Sequence, residues 1–329
     1  MRAFACLRRS RLAVAALLAL AGAAPGCGKK NTVAVGDAGG AHLVVYASDR
    51  SQAPGNFDLY LYDLDASGFR LMVGINSSTP ELHPTISSDG RFVAFQSDRG
   101  AGARSNIYLY DRIAQGFVTP SSVNTPADET EPAFTGDAHR LAFVRVVGGF
   151  QRIFVDDGSA HPDTLVALPG LDTTATFNDW APSPNLDASV IAFVSDRNGA
   201  PDVFVWQRGL GVRDIPALRS DSTDIEPSLS GDGRYVFFAS NRTGGAGGLD
   251  IWKYDLSAGG LEHLAANTAA NERAPSSSYD GGVLVFQSDR SGGLGKWDIW
   301  NLVVATGTAT QGVQESSAGD DIQPSLLWR

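Results

Sequence analysis

The apolar residues of this chain come in short runs, rich in β-branched and aromatic side chains and cut off by Gly, Asp or Pro. Such runs read as strands, and no stretch downstream of residue 24 carries a helical period. The runs also repeat. An apolar run built on an aromatic residue recurs at 43–50, 92–99, 141–145, 190–197, 235–242 and 283–290, and five of the six end in Ser-Asp-Arg or Ser-Asn-Arg. Its aromatic anchors are Tyr46, Phe95, Phe143, Phe193, Phe238 and Phe286, spaced 45 to 50 residues apart. A second run follows each, at 58–64, 106–112, 152–158, 202–208, 250–256 and 298–303. A Pro-led run precedes five of them, starting at Pro84, Pro132, Pro182, Pro227 and Pro275, and Asp-Gly pairs at 89–90, 232–233 and 280–281 mark tight hairpin turns after three of these. A fourth, weaker run fits before each new Pro, as at 69–73 or 261–264.

Four antiparallel strands in about 48 residues make one blade of a propeller. The first repeat begins at His42 without a Pro-led strand, and the chain ends with a spare one at 321–328. Donating that strand to the first repeat buries two sheet edges. The pattern therefore predicts an all-β fold: a six-bladed β-propeller of four-stranded antiparallel blades over residues 41–329, closed by the C-terminal strand completing blade 1.

The repeat P-x-x-S-x-D-G, then an aliphatic strand ending F-x-S-D-R, then D-I-Y, resembles the TolB-like, PD40 (WD40-like) propeller repeat, and the resemblance covers residues 42–329. The forms Ser240-Asn241-Arg242-Thr243-Gly244-Gly245 and Leu249-Asp250-Ile251-Trp252 also resemble PD40 domains of outer-membrane, peptidoglycan-associated proteins. About 15 residues separate Cys27 from the first strand, so the expectation is a stand-alone propeller without TolB's N-terminal domain. The resemblance implies a protein-interaction platform.

The N-terminus reads as an address. Arg2, Arg8, Arg9 and Arg11 precede an apolar stretch at 12–24, whose 13 residues fall short of the ~20 needed to span a bilayer. Residues 1–26 are expected to be an export signal. Cys27 follows small residues in a pattern resembling a bacterial lipobox, which makes it the candidate lipidated residue, with 27–40 as tether. Ordinary cleavage near Ala23 is the alternative. Gly28 favours the outer membrane, so the expected location is the periplasm or the outer membrane. Removing the signal leaves 22 basic against 36 acidic residues. That acidic balance argues against nucleic acid as a partner. Two cysteines exclude a disulfide framework.

Within a blade, let strands a to d run outward from the Pro-led one. The d–a and b–c loops then share one face and are the longer ones, and function concentrates on long loops over a rigid scaffold. An acid stands three residues before every strand-a Pro: Glu81, Glu129, Asp179, Asp224, Glu272 and Asp321. They are expected as a ring at the channel mouth, either structural and paired with the Ser-Asp-Arg arginines or binding a cation such as Ca²⁺. The residues between acid and Pro differ from blade to blade. His83, Glu131, Trp180, Glu226 and Arg273, with Trp297 in a b–c loop, are the candidate binding residues. Asp63–Gly68 imitates half a Ca²⁺ loop but reads as a turn. No nucleophile elbow, zinc-helix motif or phosphate loop is present. The expected role is a non-catalytic, monomeric recognition module without a resident cofactor, whose partner is an envelope protein or a basic peptide. The alternative is an envelope enzyme, a glycan lyase or peptidase-like hydrolase, with its site in the channel.

Overall fold

The computed structural model describes residues 42–328 except 52, 101–103, 119–122, 136–139, 157–164, 166–167, 172–174 and 313–314. The expected signal, Cys27 and the tether lie outside the described residues. Strands b and c of each blade form where the sequence places them, because their alternating aromatic and aliphatic residues have a neighbour on both faces. Blade 2 is typical, with a to d at Glu81–Ile86, Phe92–Ser97, Asn106–Asp111 and Gly116–Val118. Blade 4 (Asp179–Pro184 to Gly211–Arg213), blade 5 (Asp224–Leu229 to Leu261–His263) and blade 6 (Glu272–Ser277 to Thr308–Gln311) repeat this meander. Blade 3 has Glu129–Phe134, Leu141–Val147 and Phe150–Val155, with an isolated bridge from Asp156 to Leu165 at the position of strand d.

Blade 1 closes the ring. Its strand a is Asp321–Trp328, paired antiparallel with His42–Ser48, which in turn pairs with Asp58–Asp63 and that with Gly68–Arg70. The six strand-b aromatics are fully buried, and the hydrophobic clusters span pairs of adjacent blades, so each blade's faces are covered by its neighbours. The Asp-Gly pairs are turns: Gly90 N–H donates to Ser87 O at 2.8 Å with Gly90 at φ 72°, and Gly233 and Gly281 do the same. The segment 63–68 is likewise a turn, in which Asp63 accepts Ala66 N–H and pairs with Arg70.

One feature differs from the expectation. Strand a begins at the acid, three residues before its Pro, and carries a bulge. The pairing shifts between Leu82 and Thr85, and at the same place in every blade. At the bulge the residue before Pro takes a left-handed conformation in all six blades, with φ of 47° to 54° at His83, Glu131, Ala181, Glu226, Ala274 and Gln323. None is Gly. Residues before Pro normally stay extended, and a left-handed L-residue costs about 1–2 kcal/mol, so the ring holds these positions against local preference.

Candidate functional site

The six acids do not line the channel. Each is at most 1% exposed and sits at the start of strand a, in register with strand b. Each forms an ion pair with an arginine: Glu81–Arg99 at 2.7 Å, Glu129–Arg145 at 2.8 Å, Asp179–Arg197 at 2.8 Å, Asp224–Arg242 at 2.8 Å, Glu272–Arg290 at 3.0 Å and Asp321–Arg50 at 2.7 Å. The guanidinium lies between the strand-b ring and a strand-c ring, for example 4.8 Å from Phe95 and 5.0 Å from Tyr108 for Arg99. A Ser or Thr four residues upstream donates its hydroxyl to the acid in five blades, from Ser77, Thr125, Ser220, Thr268 and Ser317. The Ser of the Ser-Asp-Arg motif accepts the arginine Nε, and its Asp can hold the residue before the acid, as Asp196 holds Asn178 through two bonds of 2.6 and 2.7 Å. The motif is thus a clamp between strands a, b and c. Burial pushes the carboxyl groups of Glu81 and Asp321 above their usual range although an arginine opposes it, and burial lowers Arg290.

Blade 3 lacks Ser-Asp-Arg yet keeps the clamp. Arg145 stands at the Ser position, directly opposite Glu129, and lies 5.3 Å from Phe143 and 5.0 Å from Phe154. The departure in sequence is a relocation of the same cation.

The channel mouth is built one layer further in. A cavity of about 430 Å³ is lined by the six strand-a prolines and by His83, Glu131, Trp180, Ala181, Ile225, Glu226, Arg273, Ala274 and Gln323. Five of the six candidate binding residues therefore meet here, all from the bulge or beside it on successive blades. Trp297 does not join them. It lies in the blade 6 b–c loop, where its N–H reaches Asp320 and its carbonyl accepts Asp321 N–H. Trp180 lines the mouth and also rests against the core shared by blades 3 and 4.

The bulges carry out a task that sequence reading missed. At five of the six seams, the N–H of the bulge residue donates to a side chain of the preceding blade. His83 donates to Gln323 (2.9 Å), Glu131 to Gln96 (3.0 Å), Ala181 to Glu131 (2.6 Å), Ala274 to Glu226 (2.8 Å) and Gln323 to Gln287 (2.7 Å). At the blade 4–5 seam the equivalent side chains are Ala181 and Val194, neither an acceptor. A second ring of bonds comes from the residue after Pro. Thr85, Ser183, Ser228, Ser276 and Ser325 each accept an N–H of the next blade. The exception is Ala133, and its would-be donor is Pro184, which has no N–H, so acceptor and donor are missing together. The signal was present in the sequence as Pro-Ser or Pro-Thr in five of six repeats.

The mouth's charges are not symmetric. Arg273 grips Glu226 through Nε at 3.1 Å and through Nη2, and this holds the Arg273 guanidinium above its usual pKa. Glu131 accepts Ala181 N–H and has no basic partner among the described residues. Gln323 lies 3.0 Å from His83 Nε2. Among the described residues no group of three or more His, Cys, Asp or Glu side chains could hold a metal ion.

Fold and site together define a closed six-bladed propeller with a mixed polar and aromatic channel mouth. No family model matches the chain, and no curated protein matches it. Its structural neighbours are TolB and other β-propellers, in line with the resemblance carried by the repeats. TolB from Acinetobacter baumannii is 18% identical, with a TM-score of 0.68 over 87% of this chain and 67% of that one. The oligogalacturonate lyase from Vibrio parahaemolyticus is 14% identical, with a TM-score of 0.52 over 81% and 73%. The propeller domain of the Trilobed protease from Pyrococcus furiosus, described as having an open velcro topology, is 12% identical, with a TM-score of 0.53 over 82% and 93%. Here, by contrast, the velcro is closed by the pairing of 321–328 with 42–48.

Proposed function

We propose that this protein is an exported, non-catalytic binding platform of the bacterial cell envelope, anchored by lipid on Cys27, that takes a basic segment of a protein partner at its channel mouth. The carrying observation is where sixfold regularity breaks down. The acid clamps, prolines and seam bonds repeat around the ring and hold it together. The mouth side chains differ from blade to blade, and among them Glu131 has no cation against it among the described residues. Its bond to Ala181 N–H brings that carboxylate beside Trp180, so a lysine or arginine would meet a carboxylate and an indole at one rim. The lyase neighbour shares the fold, and one of the mouth's two carboxylates is held by Arg273.

The test is in-cell crosslinking and affinity purification from envelope fractions. Wild type is compared with Glu131→Gln/Trp180→Ala. Glutamine keeps the acceptor for Ala181 N–H, as Gln96 and Gln287 do at other seams, and removes only the charge. The expected result is a stoichiometric protein captured by wild type and lost by the still-folded variant, with Glu131→Gln alone keeping the wild-type melting temperature. Equal capture by both overturns the mouth as the site, and no capture by either overturns the platform.

A further inference from the structure

Eleven large hydrophobic side chains stand exposed among the described residues, and six of them lie on the outer strands of blades 1 and 2 or in the segments beside those strands. They are Phe69, Leu71 and Val73 from the outer strand of blade 1 and the segment after it, and Ile113, Phe117 and Val118 from blade 2, each 40 to 63% exposed. Hydrogen bonds join the two outer edges at Val73. Val73 N–H donates to Gln115 Oε1 at 3.0 Å, the Tyr110 hydroxyl donates to Val73 O at 2.9 Å, and Tyr110 is the cross-strand partner of Phe117. The charges beside the patch are paired within the protein, Arg70 with Asp63 and Arg91 with Asp111. The corresponding strands of blades 5 and 6 are polar: Leu261–His263 places Glu262 outward in a pair with Lys253, and Thr308–Gln311 exposes two threonines. Contiguous apolar patches rimmed by polar residues mark interaction surfaces.

The chain itself indicates what covers this one. His42, the first described residue, is tied to the blade 1 c–d turn by Asp65, which accepts its backbone N–H at 3.2 Å and contacts its ring at 2.6 Å. Leu43 pairs with Asp63 and Asp63 with Gly68, so the chain enters two strand spacings, about 10 Å, from the start of the patch. The 14 residues between Cys27 and His42 reach at most on the order of 50 Å and include Lys29 and Lys30, which favour anionic headgroups. A lipid on Cys27 would therefore bring this edge, which lies beside the point where the chain enters, within reach of the bilayer.

We propose that the outer edge of blades 1 and 2 is a bilayer-docking surface, whose six apolar side chains enter the headgroup zone of a phospholipid leaflet. This rests on the reading of Cys27 as the anchor. Docking by the edge leaves the channel mouth, on the d–a/b–c face, open to a partner.

The ring closes on residues 42–328, so a chain beginning at Cys27 retains it, and Cys27 is then its single thiol. That chain is coupled through Cys27 to a maleimide phospholipid in phosphatidylethanolamine/phosphatidylglycerol vesicles, and hydrogen exchange is read by mass spectrometry against the uncoupled, thiol-blocked chain. Peptides covering 68–75 and 113–118 are expected to exchange at least about threefold more slowly on vesicles. Those covering 261–264 and 308–311 should not change. Leu71→Glu/Ile113→Glu, two changes at exposed positions, should abolish the difference without lowering the melting temperature. No protection at the patch, or equal protection at the outer strands of blades 5 and 6, overturns the proposal. Protection that instead appears in solution as protein concentration rises also overturns it, and assigns the patch to a second copy. The mass of the N-terminal peptide from cells separately reports whether Cys27 is acylated, so the anchor reading can fail without altering the vesicle result.

Discussion

The clamp that joins each acid to its arginine makes a quantitative prediction, sharpest in blade 2. Arg99→Val removes the cation from Glu81, which is 0% exposed, and leaves the carboxylate only the Ser77 hydroxyl and N–H and the more distant Ser97 hydroxyl. Breaking one side of a buried pair costs about 3–5 kcal/mol, because the remaining charge is left uncompensated. With a urea dependence of roughly 3 kcal/mol per molar, the unfolding midpoint should fall by about 1–1.7 M. Blade 3 supplies the rescue. There Arg145 occupies the position that Ser97 holds in blade 2, faces a glutamate across the same register and stacks between equivalent rings. Ser97→Arg/Arg99→Val should therefore recover more than half of the lost stability. The pH dependence has a definite sign. Burial already raises the Glu81 pKa, and losing Arg99 raises it further, so the deficit of Arg99→Val is full while Glu81 is ionised and shrinks as pH falls through that raised pKa and the group takes up a proton. Urea titrations followed by tryptophan fluorescence at neutral and mildly acidic pH measure all three effects. If the double variant is no more stable than Arg99→Val, the two arginine positions are not interchangeable and the clamp reasoning fails.

Three further outcomes follow from the same geometry. Deleting 321–328 removes strand a of blade 1 and the acid paired with Arg50, and should abolish cooperative unfolding rather than lower its midpoint, as seen by near-ultraviolet circular dichroism; a sharp transition would contradict closure by this strand. Ala274→Gly relieves a left-handed position at φ 47° and should stabilise by about 0.5–1 kcal/mol, raising the melting temperature by about 1–3 °C. Asp255 is held well below the usual carboxylate pKa by Arg234 and by the N–H groups of Ala258 and Ser257. Asp111 is also lowered, since Arg91 and two N–H groups outweigh its burial. Stability from these groups is present above the ordinary carboxylate pKa and lost as pH falls towards their folded values, and Arg234→Gln should flatten that acid limb in melting curves.

The blades were legible because six copies of one pattern average out local ambiguity, and the spare strand at 321–328 was legible as the missing member of blade 1. What escaped was direction. Sequence spacing placed the acids three residues before each Pro, but the left-handed residue between them turns the chain. Strand a thus starts earlier than its Pro, the acids face strand b, and the bulge residues face the channel. A residue before Pro carries a preference for extended backbone, so nothing in Glu131-Pro132 or Ala274-Pro275 announces the bulge. Arg145 shows the converse. A motif that looks lost in the linear chain survives in space because the side chain is long enough to start from a neighbouring position. Trp297 fell outside the mouth because a b–c loop shares a face with the channel without reaching its axis.

The same distinction bears on how strongly the mouth can bind. A partly exposed ion pair to Glu131 contributes about 0.2–1 kcal/mol, and a cation over the Trp180 ring about 0.5–1 kcal/mol. Together they amount to about 0.7–2 kcal/mol, roughly a 3- to 30-fold gain in affinity at about 1.4 kcal/mol per decade. A basic side chain at the mouth therefore orients a partner more than it holds one. Stable capture requires contact beyond the cavity, and the surfaces adjoining the mouth are the d–a and b–c loops, whose lengths differ from blade to blade where the clamps beneath them do not. Loop exchange between blades should then change which partner is captured, whereas Glu131→Gln alone should weaken capture without changing its identity.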